Sequence, residues 1–297
     1  MRARRGRALL LLWLSWASAT TVLAQSEAPV GVRAAGMGGA FTAVADDASA
    51  SFWNPAGFAS GAFFSLVVDR NALDRRSALF VAIGTPPLGL SYYRTAIAEV
   101  KNGRNTLVAH HAGVSLVQSL GGRLAVGTTL KLVHGIASPA EGVATASNRF
   151  DADLGVMATG SLGQLGLSVR NLFQPEFKTG AGGALRLDRH VRAGIAVHAR
   201  PDTTVAADVD LTTGTTGRGD WRDAALGVEA HPNRHAWLRG GVHWNTAGGS
   251  VGGTGAAPIA SLGGSYAVYG STRADAQVSV GSSKGDRGWG IGLRFVF

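Results

Sequence analysis

The sequence predicts an all-β protein, a transmembrane antiparallel up-and-down β-barrel of about 14 strands. Apolar and polar side chains alternate along most of the chain, as a wall with a lipid face and a wet face requires. Short turn clusters alternate with longer stretches rich in Gly, Ser and Thr. Apolar residues make up 45% of the 297 residues, yet no long apolar run follows Ala24. The apolar content is therefore predicted to lie in strands and not in membrane-spanning helices.

The first 24 residues have the features of a secretory signal peptide. Residues 1–7 carry four arginines and no acid, and an apolar run over residues 8–16 follows. Val22 and Ala24 place suitable side chains at the minus-three and minus-one positions, so we expect cleavage near Ala24. A retained membrane anchor is the alternative, but the apolar run is shorter than the roughly 20 residues that a spanning helix needs.

Residues 30–60, here called the glycine-rich segment, do not alternate and contain small side chains that would let the segment pack tightly inside a barrel. Three of its glycines can take positive φ and allow close backbone approach. An Asn-Pro pair predicts a turn at the approach to the first strand. The candidate residues of the segment are Gly36, Met37, Gly38, Gly39, Asp46, Asp47, Trp53, Asn54, Pro55 and Gly57.

The predicted strands follow in chain order from Ala62. The clearest alternating runs lie near residues 123–132, 150–156, 191–198, 205–211, 236–244, 274–280 and 288–297. In each run one face is apolar and suits lipid, while the other carries polar side chains and suits the lumen. Alternation is least regular over residues 63–93, where Val81 to Gly84 and the Pro86-Pro87 pair interrupt it.

Charged residues on the polar faces are predicted to point into the lumen. They could line a pore or neutralise one another across it, and we favour neutralisation because buried charges must be paired or hydrated. The lumen-facing candidates are Arg123, Lys131, Asp151, Asp153, Arg170, Arg192, Asp208, Asp210 and Arg239.

Two kinds of connection separate the strands. Short clusters at residues 120–122, 160–163, 200–202 and 231–233 predict tight turns. Stretches at residues 138–148, 212–220 and 247–257 predict longer loops. Tight turns on one side and long loops on the other are typical of outer-membrane barrels.

A soluble β-sandwich is the alternative architecture, since its strands also alternate and are joined by short turns. We favour the barrel because the polar faces carry many charges, as a wet lumen permits, and the apolar faces are rich in Ala, Val and Leu that lipid can cover. Aromatic girdles at the two membrane interfaces fit this interpretation. The predicted girdle residues are Trp237, Trp244, Trp289, Tyr92, Tyr93, Tyr266 and Tyr269.

No cofactor, metal or catalytic site is predicted. His231 and His235 are separated by Pro232 in a turn cluster, which disfavours joint ligation of a metal. His110 and His111 point to opposite faces of a strand. The Asp46-Asp47 pair could bind a cation, but a capped turn is favoured.

Other classes of protein are also disfavoured. The glycine cluster at residues 36–39 lacks the preceding strand and the following Lys-Ser/Thr of a phosphate loop. The chain contains no Cys, which argues against a disulfide scaffold and suits export. Four of the positive charges behind the net charge of +9 lie in the predicted signal peptide, and the rest are scattered. Neither an enzyme nor a nucleic-acid-binding protein is therefore expected.

The run GMGGAFTAVADDASASFWNPAGF, residues 36–58, resembles the N-terminal signature of the FadL-like outer-membrane β-barrel superfamily. It is most similar to the PorV/PorQ branch, with the TraF-like proteins nearby. Residues 151–155, 167–172, 192–196 and 238–241 are similar to later strand motifs of that branch, so the resemblance covers most of the chain after Ala24.

The resemblance implies a 14-stranded barrel in the outer membrane of a Gram-negative cell, with the N-terminal part in the lumen as a hatch. The implied organisation is a signal peptide at residues 1–24, a hatch or plug segment at 25–60 and an outer-membrane β-barrel at 61–297. The implied partners are outer-membrane lipid and the barrel-assembly machinery, which reads a terminal aromatic strand. Phe295 and Phe297 are the candidate membrane-insertion signal.

Two functions follow from the resemblance, and neither is enzymatic. Fatty-acid transporters of the superfamily bind apolar ligands and pass them sideways through an opening in the wall. The first hypothesis is a transporter of small solutes, hydrophobic ones included, that the hatch gates. PorV-like members act as shuttles or assembly partners in a secretion machine, so the alternative is a partner barrel in a secretion complex or in envelope assembly.

Overall fold

The computed structural model of the chain describes residues 30–73, 76–98, 106–139, 142–178, 184–216, 219–247, 258–282 and 286–297. The predicted signal peptide lies outside the described residues. The fold is a closed barrel of 14 antiparallel strands, which confirms the predicted class and strand number. Two small two-stranded sheets accompany the barrel. None of the helices among the described residues is long and apolar enough to cross a membrane.

The regular elements are short helices at the start and strands thereafter. The helices are α1 (Val32–Gly36), α2 (Ala50–Trp53) and a 3₁₀ helix (Pro55–Ser60). The barrel strands are β1 (Ser65–Leu73), β2 (Arg76–Thr85), β3 (Leu88–Ala98), β4 (Thr106–Leu120), β5 (Leu124–Ser138), β6 (Thr145–Thr159), β7 (Gly163–Arg170), β10 (His190–Arg200), β11 (Thr203–Asp210), β14 (Asp223–Asn233), β15 (Ala236–Asn245), β16 (Ile259–Tyr269), β17 (Thr272–Val280) and β18 (Gly288–Val296). The small sheets are β8 (Glu176–Lys178) with β9 (Ala184–Arg186), and β12 (Gly214–Thr216) with β13 (Gly219–Trp221).

Each barrel strand pairs with the strands that precede and follow it in the wall, and β1 pairs with β18 to close the ring. The closing register places Ser65 opposite Val296. One further backbone pair extends the seam, because Phe64 and Phe297 exchange N–H···O bonds of 3.2 and 2.9 Å. A sheet that spans a membrane must have no free edge, and the closed ring meets this requirement.

The two faces of the wall follow the predicted alternation. On β5, Leu130 is 43% exposed on the outside, while the next residue, Lys131, is 1% exposed in the lumen. The same division holds on β18, where Ile291 and Leu293 are exposed and Arg294 is buried. An apolar outer face around a charged interior is the reverse of a soluble core and suits a wall in contact with lipid.

The connections differ at the two ends of the barrel, as the sequence predicts. At the tight-turn end, residues 86–87, 121–123, 160–162, 201–202, 234–235 and 270–271 join neighbouring strands. At the loop end, the β8–β9 hairpin lies between β7 and β10, and the β12–β13 hairpin lies between β11 and β14.

Two local predictions need correction. The turn predicted at residues 231–233 lies at 234–235, because β14 continues through a bulge to Asn233. The loop predicted at residues 212–220 contains β12 and most of β13. The strands β1, β2 and β3 are regular although the sequence alternates unevenly there, because the Pro86-Pro87 pair lies in the turn between β2 and β3 and not within a strand.

Candidate functional site: the barrel lumen

The glycine-rich segment lies inside the barrel. Its helix α1 contacts β15 to β18 and β1, whereas its 3₁₀ helix contacts β4, β5 and β6. Contacts with strands on opposite sides of the ring place the segment in the lumen. Most of its side chains are buried, among them Phe41, Phe52 and Trp53.

Inward-pointing glycines on the wall make room for this segment. A Cβ on Gly241 of β15 would lie 2.1 Å from the carbonyl carbon of Met37, and one on Gly166 of β7 would lie 2.5 Å from the Thr42 oxygen. Gly127, Gly155 and Gly227, on three further strands, meet the segment in the same way. At these glycines the backbone of the wall therefore lies in direct contact with the backbone of the segment.

Glycines within the segment serve the same close packing. Gly38 and Gly39 have φ of +65° and +82°, where other residues are strained. Gly36 instead lies in α1, and a Cβ there would approach the Gly263 Cα at 3.2 Å. A Cβ on Gly57 would collide with the Ala45 oxygen at 1.9 Å.

Polar side chains fix the exit of the segment towards β1. The Asn54 Oδ1 accepts a hydrogen bond from the Ala56 N–H at 3.2 Å, and Pro55 begins the 3₁₀ helix. The Asn54 amide also donates to the Thr42 oxygen at 2.9 Å and to the Val156 oxygen at 3.1 Å. The Trp53 indole donates to the Val30 oxygen at 2.9 Å, which ties the two ends of the segment together.

A group of charged residues, here called the Arg33 cluster, joins the segment to the wall. Its members are Arg33, Asp46, Asp47, Glu229, Arg239, Asp275 and Arg294. The Arg33 guanidinium forms a two-pronged contact with Glu229 on β14, at 2.8 and 2.6 Å. It also contacts Asp46 and donates to Asp47 at 3.1 Å.

Asp47 is held between the segment and the last strand. Its carboxylate accepts from Arg294 of β18 at 2.9 Å, and its other oxygen accepts from the Ser49 N–H at 2.9 Å. Burial opposes ionisation of Asp47, but Arg294 and Arg33 outweigh it and lower its pKa to about 2. Asp47 is therefore a charged anchor at neutral pH, and the Ser49 contact is the capped turn that the sequence favours.

A second contact, centred on Arg192 of β10, holds the middle of the segment. Arg192 donates to Asp208 and Asp210 of β11 at 3.1 and 2.8 Å, and to the Gly39 oxygen at 3.1 Å. Asp208 in turn accepts from the Phe41 and Thr42 N–H groups at 3.0 and 2.9 Å. Wall charges thus satisfy backbone groups of the segment that helices or strands would otherwise satisfy.

A third group of charges ties a loop to the lumen instead. Lys131 of β5 lies 3.0 Å from Asp151 and 2.7 Å from Asp153 of β6. Asp153 accepts from the Asn171 N–H at 2.9 Å, and Asp151 accepts from the Phe173 N–H at 3.0 Å. The start of the loop between β7 and β10 is therefore anchored on inward carboxylates.

The lumen-facing candidates fall into these groups with two exceptions, Arg170 and Arg123. Arg170 points inward over the Phe52 ring, with its guanidinium carbon 4.2 Å from the ring centroid. Arg123 was wrongly assigned to the lumen face: it is exposed in the turn between β4 and β5, because alternation begins only at Leu124. The remaining candidates are buried and ion-paired: Lys131, Asp151, Asp153, Arg192, Asp208, Asp210 and Arg239.

Sequence reasoning missed several inward charges that complete the Arg33 cluster. Arg33, Glu229, Asp275 and Arg294 were not among the candidates, although the last two occupy polar positions of alternating strands. Asp69 of β1 was also missed, and its carboxylate accepts from the Val32 N–H at 2.8 Å. For the strand residues, alternation indicated that the side chain points inward. For Arg33, which lies in the non-alternating segment, the sequence contained no such signal.

The loop end of the lumen contains a packed cluster of buried apolar side chains, here called the apolar compartment, formed by Leu107, Ala109, Val133, Ala137, Phe177, Leu185 and Leu187. The first four residues point inward from β4 and β5, and the others come from the β8–β9 hairpin and the residue after it. Gly135 lies between the wall residues, where a Cβ would meet the Phe177 ring at 2.3 Å. The hairpin is thus packed down into the barrel and closes the compartment from above.

A row of aromatic rings connects this compartment with the glycine-rich segment. His111, directly opposite Val133 on the wall, stacks on Tyr93 at 4.1 Å between ring centroids. Tyr93 meets Phe52 at 5.3 Å, and Phe52 meets Trp53 at 5.5 Å. Tyr93 therefore does not belong to an aromatic girdle, and Trp237 likewise lies inside, beneath Arg273 at 3.9 Å.

Other candidate sites are small or lack the required groups. A pocket of about 70 Å³ at the tight-turn end lies between the 3₁₀ helix and the turn that contains Arg123. In the part of the chain that the structure describes, no three His, Asp or Glu side chains are arranged to hold a metal ion. Asp46 and Asp47 contact Arg33 instead.

Comparison with known proteins gives a fold but no family. No protein-family model matches the sequence, and no curated protein matches it significantly. Solved structures do match over almost the whole chain. The CymD monoaromatic hydrocarbon channel has a TM-score of 0.69 at 15% identity, over 94% of this chain and 98% of that chain.

Two further barrels are similar. The Ralstonia pickettii toluene transporter TbuX has a TM-score of 0.64 at 14% identity, over 90% of this chain and 98% of that chain. A Pseudomonas aeruginosa FadL homologue has a TM-score of 0.62 at 10% identity, over 93% of this chain and 99% of that chain. The chain therefore has the fold of FadL-like barrels, and its assignment to the PorV/PorQ branch stays a prediction.

Proposed function

We propose that this chain is an outer-membrane channel for small apolar solutes, and that the glycine-rich segment controls their passage. The apolar compartment carries the proposal. Several other strands carry paired charges on their inward faces, whereas inward positions on β4 and β5 near the loop end are Leu, Ala and Val. Such an apolar lining with few polar groups would suit a small apolar ligand once the β8–β9 hairpin moves away from it.

The aromatic row supports a route out of the compartment. Its rings lead from Val133 through His111 and Tyr93 to Phe52 on the segment. Ring faces and edges offer an apolar solute dispersion contacts at successive steps. The similar structures named for toluene transport and for a monoaromatic hydrocarbon channel agree with a small aromatic solute.

The segment fits the role of a gate because noncovalent contacts hold it. The ion pair of Arg33 with Glu229 fixes it to the wall, together with hydrogen bonds to Arg192, Asp69 and Asp208. All of these can break and reform. A solute that reaches Phe52 would have to displace the segment to continue towards the tight-turn end.

The location also belongs to the proposal. The outward face of the barrel is mostly apolar, as lipid contact requires. The loop end would face outwards and the tight-turn end would face the periplasm, as in other outer-membrane barrels. Cleavage near Ala24 would release the mature chain, with residues 25–60 as hatch and 61–297 as barrel.

A polar side chain in the apolar compartment tests the function. We expect Val133→Asp to slow the uptake of radiolabelled toluene about tenfold, because a carboxylate keeps its water and blocks an apolar site. The measurement uses Gram-negative cells with an intact lipopolysaccharide layer that produce each variant. Arg149 lies opposite Val133 on β6 and can pair with the new carboxylate, so the barrel should still fold.

Val133→Ile is the matched control at the same position and should leave uptake within about twofold of the parent, as conservative apolar changes do. Equal toluene uptake by the Asp variant and the parent, with equal amounts of folded barrel, would refute the proposal. The native mass of the gently extracted protein addresses the secretion-partner alternative. A single barrel with detergent supports independent transport, whereas a much larger assembly supports that alternative.

A further inference from the structure

The outward face of the barrel carries an uneven distribution of charge. Away from the tight-turn end, nearly all charged and histidine side chains of the described barrel strands point into the lumen. Four point outwards instead: Arg70 on β1, Arg94 on β3, His110 on β4 and His134 on β5. All four lie on neighbouring strands in one sector of the wall.

The strand register places these residues in a single row. Arg70 lies opposite Leu79 of β2, and Leu79 lies opposite Arg94. The row continues from Arg94 to His110 and from His110 to His134. It ends at Asn148 of β6, which lies opposite His134. One polar row thus crosses six adjacent strands, β1 to β6, and is interrupted only by Leu79.

The row follows the loop-end rim of the barrel. Each of its members lies three or four residues from the loop end of its strand, although the strands vary from 9 to 15 residues in length. Three or four residues correspond to roughly 10–13 Å along a strand, and to less along the membrane normal because barrel strands are tilted. An arginine side chain at that depth can reach the headgroup region.

The other eight strands of the wall lack such a row. Their outward residues three or four positions from the loop end are all apolar: Leu167, Ala193, Ala207, Leu226, Val242, Leu262, Ala276 and Ile291. A general membrane girdle would surround the whole barrel. A polar row on one sector indicates a specific partner on that side.

The partner must carry negative charge. Within the described part of the chain, neither Arg70 nor Arg94 has a carboxylate partner, and no acidic side chain accompanies them on the outward face. An unpaired cation on a lipid-facing wall is unfavourable unless an anion or water reaches it. Arginine binds phosphate strongly because its planar fork can donate two hydrogen bonds.

The partner must also have an apolar part next to its charged group, because exposed leucines lie beside the row on the outward face. Leu90 and Leu132, on the same outward faces below the row, are 56% and 54% exposed. Tyr92 and His110 are already hydrogen bonded to each other at 2.7 Å, as are His134 and Asn148 at 2.7 Å. These contacts hold the two imidazoles along the row. When the Tyr92 hydroxyl donates to the His110 Nδ1, the His110 Nε2–H remains free to donate to a phosphate oxygen.

We propose that the row from Arg70 to Asn148 binds the phosphate headgroup of an outer-leaflet lipid, whose acyl chains cover the apolar face below it. Arg70 and Arg94 are the main phosphate ligands, and His110 is a secondary donor. The inference rests on the proposed outer-membrane location, but not on which solute the lumen passes.

Lipid retention by the purified protein tests the inference. The folded full chain in neutral detergent is mixed with lipid A that bears two phosphates, and bound lipid is counted by native mass spectrometry. We expect Arg70→Gln with Arg94→Gln to lower the lipid-bound fraction about tenfold, since two charge-assisted contacts are lost. An excess of inorganic phosphate should not displace the lipid, because it lacks the acyl chains.

The matched control removes the same charge elsewhere. Arg200 and Arg234 are exposed at the tight-turn end, so Arg200→Gln with Arg234→Gln should retain lipid A as the parent does. Equal losses in the two double variants would overturn the inference in favour of non-specific attraction. Unchanged retention in the Arg70/Arg94 variant would overturn it too, as would displacement by inorganic phosphate.

The outcomes separate this inference from the proposed function. Heat-modifiable migration on a gel shows that each variant is folded before lipid is added. Loss of lipid retention with normal toluene uptake supports the row alone. If Val133→Asp takes up toluene as fast as the parent while the Arg70/Arg94 variant loses bound lipid, the transport proposal is rejected and the lipid site is still supported.

Discussion

At the scale of single residues, the glycines of the wall determine how the glycine-rich segment fits. Gly240 and Gly241 are neighbours on β15 but point to opposite sides. A Cβ on Gly241 would lie 2.1 Å from Met37, whereas on Gly240 the nearest atoms would be 3.8 Å away. An added methyl group at Gly241 should disturb both the strand and the packing of the segment, whereas one at Gly240 should disturb the strand alone. Comparing the two variants therefore separates these effects.

We predict that Gly241→Ala loosens the segment. The clash is with backbone atoms, which cannot move aside as a flexible side chain would, so overpacking should cost about 1–3 kcal/mol. The measurement is the rate at which an added protease cleaves within residues 30–60 of the folded protein. Gly240→Ala is the control and should match the parent, and equal cleavage rates for the two variants would contradict the fit described here.

Arg33 allows a graded test of the ionic contact between segment and wall. Arg33→Gln removes the two-pronged contact with Glu229 and should destabilise the docked segment by about 3–5 kcal/mol, as when one partner of a buried pair is removed. Arg33→Lys keeps the charge but not the fork, so it should lie between the parent and the Gln variant. The order parent, Lys, Gln in protease resistance supports this role, and any other order speaks against it.

The sequence predicted many of the inward charges of the strands because alternation assigns each side chain to a face. Lys131, Asp151 and Asp153 were identified in this way. Arg123 was not, since a turn has no alternation. The inward glycines were invisible for a related reason: Gly127 and Gly241 occupy inward positions, but a residue without a side chain gives no polar or apolar signal.

At the scale of elements, the glycine-rich segment is tied to the lumen mostly through its backbone. Asp69 and Asp208 accept from N–H groups of Val32, Phe41 and Thr42. If the segment is removed, water can enter the lumen and replace the N–H donors that these carboxylates lose. The wall keeps its own ring of strand pairs, so the barrel does not need the segment to stay closed.

We predict that deletion of residues 30–60 raises permeability and leaves the barrel intact. The emptied lumen is lined with charges that water can hydrate, so a small sugar such as arabinose should enter. The measurement is the swelling rate of proteoliposomes, and heat-modifiable migration reports the fold. The Gly240→Ala protein serves as the control with the segment in place, and unchanged sugar entry after deletion would refute the gate.

The β8–β9 hairpin was not predicted, although it closes the apolar compartment. Its strands, Glu176–Lys178 and Ala184–Arg186, are three residues each, too short to display a period of two. Their position depends on contacts distant in sequence, such as Phe177 against Gly135. Long regular strands were accessible to sequence reasoning, while a short element held by tertiary packing was not.

At the scale of the whole molecule, the barrel is one ring whose closure depends on the pairing of its first and last strands. Ser65 to Leu73 pair with Val296 to Gly288, and Phe64 with Phe297 adds the outermost step. The rings of Phe64 and Phe297 also touch, 5.8 Å apart in an edge arrangement. Phe297 thus has a structural contact in addition to its expected role as an insertion signal.

These two roles of Phe297 can be separated by comparing both sides of the seam. We predict that Phe297→Ala lowers the amount of folded barrel in the outer membrane several-fold, while Phe64→Ala, which removes the same ring contact, lowers it less. The alanine side chain retains the backbone pairing across the seam, so closure itself is preserved in both variants. The measurement is the heat-modifiable fraction in purified outer membranes. Equal losses in the two variants would assign the effect to the ring contact. No loss in either variant would contradict an insertion signal at Phe297. A larger loss in Phe297→Ala than in Phe64→Ala follows only if the assembly machinery reads the terminal aromatic residue.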